Sequence, residues 1–214
     1  MTLPLTPDEL LSTTRTVRKR LDFDRPVPRA LLEECLEVAL QAPTGGNRQD
    51  WQFVFVTEAE PKRLIAAAYK RSWDAYVQAP RPRYEESDPR SKQLPRVVSS
   101  AQYLADRMHE VPAMLIPCHR GRPPEGAPAA VWAGLMGSIL PATWSFMLAA
   151  RARGLGTAWT TLHLVYEQEV AEALGIPFDK FVQAALVPIG YFKGEDFQPA
   201  ERIPLDKVVH WERW

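Results

Sequence analysis

Two short segments carry side chains whose types and spacing suit ligand binding. The first is the basic run 15–20, Arg-Thr-Val-Arg-Lys-Arg, which is built around one hydroxyl. Guanidinium groups offer forked donors that match phosphate oxygens, and the hydroxyl of Thr16 adds a neutral donor. A solvated basic face that attracts anions without specificity has the same composition. The run by itself therefore allows either a phosphate site or a plain basic surface.

The second segment is residues 42–51, Ala-Pro-Thr-Gly-Gly-Asn-Arg-Gln-Asp-Trp, which connects an apolar helical pattern to an alternating run. Pro43 ends the helix, and the two glycines after Thr44 permit unusual backbone angles and let a ligand approach the main chain. Thr44 and Asn47 supply short-range hydrogen-bonding groups. These features are typical of a binding loop, although an ordinary tight loop is built from the same residues.

Apolar periodicity predicts the elements that position these two segments. Helices are expected over residues 29–41, 60–78, 97–109 and 165–174, and strands over 53–56, 113–117 and 181–191. The run 53–56 is apolar throughout, which predicts a strand inside a sheet covered on both faces. Residues 154–159 predict a turn into a further strand, and Pro188 indicates the edge or the end of the last strand.

Residues 131–150 form a twenty-residue run without a charged side chain, which is long enough to span a bilayer. The run contains Pro141 and two glycines, and the mean hydropathy of the whole chain is negative. A helix buried in a large core or in a dimer interface has the same pattern. We therefore expect a buried helix and no membrane association.

Charge and cysteine content narrow the function classes. Lys and Arg together number 26, as do Asp and Glu, so no net charge favours nucleic acid or an anionic membrane. Any phosphate must be bound locally. Cys35 and Cys118 lie far apart without metal-ligand spacing, and we expect free thiols in a reducing cytoplasm. The length of 214 residues predicts a single domain, 1–214.

Two further segments differ from the rest in composition. Residues 79–95 contain four prolines, many charges and almost no aliphatic side chains, which predicts a long exposed loop that is either disordered or a lid over a site. Tyr84 is its obvious stacking group. Residues 197–214 carry Arg202 and two tryptophans. This end is too apolar to be free, and we expect it to pack on something, with another subunit as one possibility.

Three separated motifs together resemble the nitroreductase family of flavin mononucleotide (FMN) oxidoreductases. Residues 15–18 with Arg-Pro-Val-Pro at 25–28 resemble the family's Arg-Arg-Ser-Val-Arg segment and its Pro-Val-Pro helix start. Residues 42–51 are similar to the family's Ala-Pro-Ser-x-x-Asn-x-Gln-Pro-Trp. The third motif is Gly-Leu-Gly-Thr-Ala-Trp at 154–159, followed by Pro-Ile-Gly-Tyr at 188–191 and Arg202. The motifs occur in family order along nearly the whole chain.

The resemblance implies an α+β fold with a central mixed, mostly antiparallel sheet flanked by helices. It also implies an intertwined homodimer with FMN in the interface, and residues 197–214 packing on the partner subunit. The implied cofactor-binding residues fall into three sets. They are Arg15, Thr16, Arg18 and Arg202 at the phosphate and ribityl chain, Pro43, Thr44, Gly45 and Asn47 reaching the isoalloxazine from the partner subunit, and the backbone of Thr160, Thr161 and Leu162 at N5 and the carbonyl edge.

The implied activity is the reduction of nitroaromatic or quinone-type acceptors by NADPH or NADH, in a ping-pong exchange through flavin N5. Because the cofactor carries this chemistry, no catalytic side chain and no metal are expected. Trp159 and Tyr84 are candidate walls for a flat acceptor. The alternatives are a specialised relative that dehalogenates an aromatic or degrades a flavin, and a protein that binds or stores flavin without turnover.

Three positions depart from the family pattern. Thr14 stands where many members have an arginine, and Asp50 replaces the proline before Trp51. The pair Thr161-Leu162 replaces a small or glycine-bearing pair beside the flavin edge. These departures concern the subfamily and the reductant, while the implied phosphate and loop contacts are kept.

Overall fold

The computed structural model describes residues 2–80, 82–195 and 197–214, and in this part of the chain six α-helices and six strands succeed one another. The helices are α1 (Pro7–Thr13), α2 (Arg29–Ala39), α3 (Ala59–Gln78), α4 (Pro89–Arg107), α5 (Ala129–Ala152) and α6 (Glu167–Leu174). The strands are β1 (Leu21–Asp22), β2 (Trp51–Val56), β3 (Ala113–Arg120), β4 (Leu155–Thr157), β5 (Phe181–Gln183) and β6 (Val187–Phe192). Short 3₁₀ helices occupy Gly45–Asn47, Met108–Glu110, Leu162–Tyr166 and Leu205–Lys207.

The pairings between these strands are antiparallel. At one edge β2 pairs with β3, and the other side of β3 pairs with β5 and β6. The far side of β6 pairs with β4, and β1 lies beside the end of β6. Outside β4, Thr16 forms a parallel bridge with Thr157. The basic segment therefore lies at one edge of the sheet, and β2 lies at the other.

Helices cover both faces of this sheet, so the chain has a core on each side. Met114 and Ile116 of β3 belong to the core that α3 and α4 cover, whereas Ala113 and Leu115 face α2 and α5. This double cover explains why β3 is a continuous apolar run. The predicted cover of β2 on both faces is also observed. Its predicted position inside the sheet is wrong, because β2 pairs only with β3 in the described residues.

The predicted strand 181–191 is two strands, β5 and β6, separated by residues 184–186. Pro188 is the second residue of β6, so the prediction of a strand end is correct. The strand itself is interior, with β3 on one side and β4 on the other. Proline lacks an N–H and so cannot donate one hydrogen bond of the sheet. This loss is tolerated here because Pro188 lies at the beginning of the strand.

The predicted loop 79–95 is correct only as far as residue 88, since α4 begins at Pro89. The side chain of Asp88 caps the helix by accepting a hydrogen bond from the Arg90 N–H at 2.8 Å. Proline is well suited to the first helical position, where its missing N–H has no acceptor to lose. The loop prediction fails at Pro89 because a proline can begin a helix as well as stand in a loop. Arg81, within the predicted loop, lies outside the described residues.

Helix α5 contains the uncharged run, and it is long and apolar enough to cross a membrane by length and composition. Core helices pass the same test, and 50% of its most apolar window is buried inside the chain. Leu135, Ile139 and Phe146 lie on the buried side. Trp132 and Trp144 are 38% and 41% exposed. The prediction of a buried helix is therefore confirmed for one side, and the other side lies open in a single chain.

Two of the sequence motifs pack directly against each other through a glycine. The Val17 N–H donates to the Thr157 carbonyl at 2.8 Å, and the Val17 side chain is buried. A Cβ atom on Gly156 would lie 2.9 Å from both Cβ and Cγ1 of Val17. Real side chains essentially never come so close, so only glycine at this position lets the basic segment reach β4.

We expect Gly156→Ala to destabilise the fold by about 1–3 kcal/mol, because the added methyl group overpacks the contact with Val17. Gly190 is the matched control, since it faces Gly156 in the β4–β6 register and a Cβ there would meet Pro112 Cδ at the milder distance of 3.2 Å. Chemical denaturation of both variants measures the free energies of unfolding. Equal losses for Gly156→Ala and Gly190→Ala would contradict the special role of the Val17 contact.

Candidate functional site

The basic segment is oriented by hydroxyl groups on α4. Arg18 is half-buried, and its Nη1 donates to Ser100 Oγ at 3.1 Å. Lys19 Nζ donates to Ser99 Oγ at 2.9 Å. Burial lowers the pKa of Arg18, although a guanidinium stays charged at any physiological pH. Neutral partners leave the positive charge of both side chains available for an anion.

Arg15 joins the segment to the carboxyl-terminal tail. Its Nη1 donates to the Gln198 carbonyl at 2.8 Å. Burial lowers the pKa of Arg15, and the nearby positive charges of Arg202 and Arg96 lower it further. Like charges held together repel one another, and a bound anion would relieve that repulsion. Arg202 and Arg96 are therefore near enough to Arg15 to oppose its charge, and sequence reasoning did not single out Arg96. The expected phosphate contacts of Arg15 and Arg202 stay a prediction.

Two cation–π contacts fix Phe197, at the start of the tail, to the rest of the chain. The guanidinium of Arg20 lies 4.1 Å from the centre of the Phe197 ring, and that of Arg151 lies 4.4 Å from it. Arg151 is buried, which lowers its pKa. The two contacts hold Phe197 in place, and Gln198 follows it directly. Arg202 is therefore delivered to the basic segment by an anchored stretch of chain.

The loop 43–49 is held in an unusual backbone conformation. Gly46, Asn47 and Gln49 all have left-handed φ angles, of 59°, 53° and 52°. For residues other than glycine this conformation costs about 1–2 kcal/mol each. Side-chain hydrogen bonds offset part of that cost, since Gln49 N–H donates to Thr44 Oγ1 at 3.2 Å and Gln49 Nε2 donates to Asn47 Oδ1 at 3.1 Å. Strain that is compensated in this way is concentrated at binding sites.

A cavity of about 540 Å³ opens beside this loop. Its wall is formed by Thr44, Gly45, Gly46, Arg48 and Asp50, by residues 119–123, and by the first turns of α5. Gly45 is tied to α5, because its N–H donates to Ser138 Oγ at 3.1 Å. Pro43 and Asn47 do not line the cavity, and Asn47 is exposed. The volume is in the range of small-molecule sites.

The loop and the basic segment lie at opposite edges of the sheet. Thr16 lies outside β4, and the loop leads into β2, with β6 and β3 between them. Four strand spacings amount to roughly 19 Å. No hydrogen bond between described residues joins the two groups. One chain therefore does not bring Pro43, Thr44, Gly45 and Asn47 to Arg15, Thr16 and Arg18.

The segment 160–162 begins beside the sheet and ends in a 3₁₀ helix. The Thr160 N–H donates to the Leu186 carbonyl at 3.1 Å, and the Leu186 N–H donates to the Thr160 carbonyl at 2.8 Å. The Thr160 backbone is thus paired inside the chain. Thr161 and Leu162 stand at the start of the 3₁₀ helix, where N–H groups have no acceptors within the helix. The expected contact of these residues with a flavin stays a prediction.

Directly after this segment lies His163, which is fully buried. Burial lowers the pKa of His163 to about 4, with a smaller opposing effect from the amide of Gln183. Gln183 is itself fixed, since its Nε2 donates to the Glu167 carbonyl at 2.9 Å and its N–H donates to Glu167 Oε1 at 2.8 Å. His163 is therefore neutral near neutral pH, and it cannot act as a proton donor there.

We expect His163 to make the fold less stable in acid. Its folded pKa of about 4 lies below the unfolded value, so the unfolded chain binds more protons between about pH 6.5 and 4. The stabilisation is complete above this window and is lost as the pH falls through it, by up to about 1.4 kcal/mol per pH unit. Denaturation of wild type and His163→Asn at about pH 7 and pH 5 measures this loss.

The variant His163→Asn should lose less free energy of unfolding than wild type between the two pH values. His210→Asn is the control, because it removes a solvent-exposed histidine instead. The assignment fails if wild type and His163→Asn lose the same amount.

The chain is similar to known proteins in both sequence and fold. The model of the nitroreductase family matches residues 11–191. A curated protein from Thermus thermophilus, an NADH dehydrogenase, is 29% identical, and the match covers 98% of each chain.

Two solved structures share the fold. The FMN and NADPH-dependent nitroreductase NfnB from Sphigopyxis sp. strain HMH is 25% identical with a TM-score of 0.70, covering 98% of this chain and 100% of that one. Oxidised iodotyrosine deiodinase bound to FMN and 3-iodo-L-tyrosine has a TM-score of 0.68 at 23% identity, covering 97% and 98%. The second likeness concerns the fold alone.

Proposed function

Because the chain belongs to the nitroreductase family, we propose that it is an FMN-dependent NAD(P)H oxidoreductase that reduces nitroaromatic or quinone-type acceptors. The fold supports this proposal, since the nitroreductase-like architecture expected from the sequence is confirmed by the solved structures. The single observation that supports the cofactor is the position of Arg15 and half-buried Arg18 on the basic segment at one edge of the sheet, with Arg202 near enough to Arg15 to oppose its charge. When bound, FMN supplies hydride exchange through N5, from NADPH or NADH to the acceptor in a ping-pong cycle.

The donor set at the edge of the sheet fits the phosphate of FMN. A phosphomonoester presents three acceptor oxygens and up to two negative charges, which suit forked guanidinium donors. Arg15, Arg18 and Arg202 would hold the phosphate, and Thr16 would donate to it or to the ribityl chain. The described residues place no carboxylate in an ion pair with any of these arginines. The repulsion among them is thus left for an anion to relieve.

The N–H groups at the start of the 3₁₀ helix would bind the isoalloxazine ring. The N–H groups of Thr161 and Leu162 would donate to its carbonyl edge and N5, where reduction raises the electron density. His163, the next residue in the chain, is buried and neutral. The chain's own task is therefore to place the flat ring and the acceptor, and to stabilise charge, without a catalytic side chain.

The second half of the site would come from the partner of a homodimer. Pro43, Thr44, Gly45 and Asn47 lie at the opposite edge of the sheet from Thr16, so they would reach the flavin of the other subunit. The tail supports such an assembly, because Trp211 and Trp214 are 83% and 102% exposed in a single chain. The open side of α5 would be covered by the same association. Buried thiols at Cys35 and Cys118 fit a reducing cytoplasm.

The solved structures leave the acceptor open, since a deiodinase and a nitroreductase share this fold. Dehalogenation of an aromatic, flavin degradation and flavin storage therefore remain the alternatives. The purified protein should be yellow, should be bleached by NADPH or NADH, and should regain its colour with a nitroaromatic or quinone. Colour that no nicotinamide bleaches would identify a flavin-binding protein without turnover. Oxidation by a haloaromatic alone would identify the dehalogenating relative.

We expect Arg18→Ala to weaken FMN binding, because one charged hydrogen bond is typically worth about 1.5–3 kcal/mol. Fluorescence titration of the apoprotein measures the FMN dissociation constant. Arg63→Ala is the control, because this substitution also removes one positive charge. Arg63 pairs with Glu60 on the exposed side of α3. An unchanged dissociation constant in Arg18→Ala would show that the phosphate lies elsewhere.

A further inference from the structure

Helix α4 presents one row of polar side chains to the candidate phosphate site. At one end Gln93 Nε2 lies 3.4 Å from the Glu201 carbonyl, next to Arg202. At the other end Ser100 Oγ accepts the hydrogen bond from Arg18. Residues three, four and seven apart share one side of a helix, so Arg96 lies on the same row between these two contacts.

Arg96 has no fixed partner of its own. In the part of the chain that the structure describes, no hydrogen bond or ion pair involves its guanidinium, and the residue is exposed. Its charge is close enough to Arg15 to oppose the charge of that side chain, as is the charge of Arg202. Because Arg15 is hydrogen-bonded to the tail at Gln198 and α4 is hydrogen-bonded to the tail beside Arg202, Arg96 lies on the side of α4 that faces both of these arginines.

We propose that Arg96 is a cofactor-binding residue that α4 contributes to the phosphate of FMN, where it completes a three-guanidinium site with Arg15 and Arg202. The inference rests on the proposed function, because it assumes that this edge of the sheet holds FMN. A phosphomonoester has enough acceptor oxygens for all three side chains. Binding would also add a charged link between α4, the basic segment and the tail, beside the hydrogen bonds that already join them.

The test compares FMN with riboflavin, which has the same ring and no phosphate. Apoprotein of wild type, Arg96→Gln and Arg96→Lys is titrated with each flavin and followed by flavin fluorescence. Arg96→Gln should weaken FMN binding by about tenfold or more and leave riboflavin binding unchanged. Arg96→Lys should recover part of the loss because the charge is restored. Arg63→Gln, which removes a charge from an exposed pair on α3, should bind both flavins like wild type.

The outcomes separate the inference from the proposed function. If wild type binds neither flavin, the proposed function fails and the inference falls with it. If wild type binds FMN, and Arg96→Gln leaves the affinity for both flavins unchanged or lowers both affinities equally, only the inference is overturned. If FMN binding is unchanged but the KM for NADPH rises and that for NADH does not, Arg96 recognises the 2′-phosphate of the reductant. That result also overturns the assignment to FMN.

Discussion

The close contact between Val17 and Gly156 determines where this chain can carry out chemistry. A single backbone hydrogen bond of 2.8 Å from Val17 to Thr157 adds the basic segment to the edge of the sheet. Because Gly156 lacks a side chain, Val17 can be buried there, between exposed Thr16 and half-buried Arg18. The segment of Thr161 and Leu162 follows β4 in the chain. One packing contact thus fixes the basic segment against the strand that leads to the proposed ring-binding residues.

The order of the strands separates the two motifs that the sequence makes most conspicuous. Since β4 and β2 lie on opposite sides of β6 and β3, the basic segment and the loop 43–47 occupy opposite edges. Among the described residues, no further strand pairs with either edge, and the open side of α5 and the apolar tail add further uncovered surface. A two-fold symmetric pair would bring the loop of each chain to the basic segment of the other, because an isologous interface uses the same contacts twice. The geometry of one chain thus favours an assembly with two equivalent sites.

Much of this arrangement can be predicted from the sequence, because its signals are local. The stop at Pro43, the glycines of the loop and the apolar period of α5 each depend on a few neighbouring residues. The prolines of 79–95 predict a loop, whereas Pro89 begins a helix, and a loop gives no reason to expect Gln93, Arg96 and Ser100 on one helical side. The backbone pairing of Thr160 with Leu186 is likewise not predictable, because the two residues are distant in sequence. Contacts of this kind depend on tertiary structure and leave no local pattern.

The proposed site places one flavin between the basic segment of one chain and the loop of its partner. Subunit exchange tests this directly, with one chain carrying Arg15→Ala and Arg18→Ala and the other carrying Thr44→Ala and Asn47→Ala. Each variant alone should bind FMN poorly. After exchange, every mixed dimer has one intact site, so tight FMN binding should return in the mixture. If mixed dimers form and tight binding does not return, the two motifs do not share a flavin across the interface.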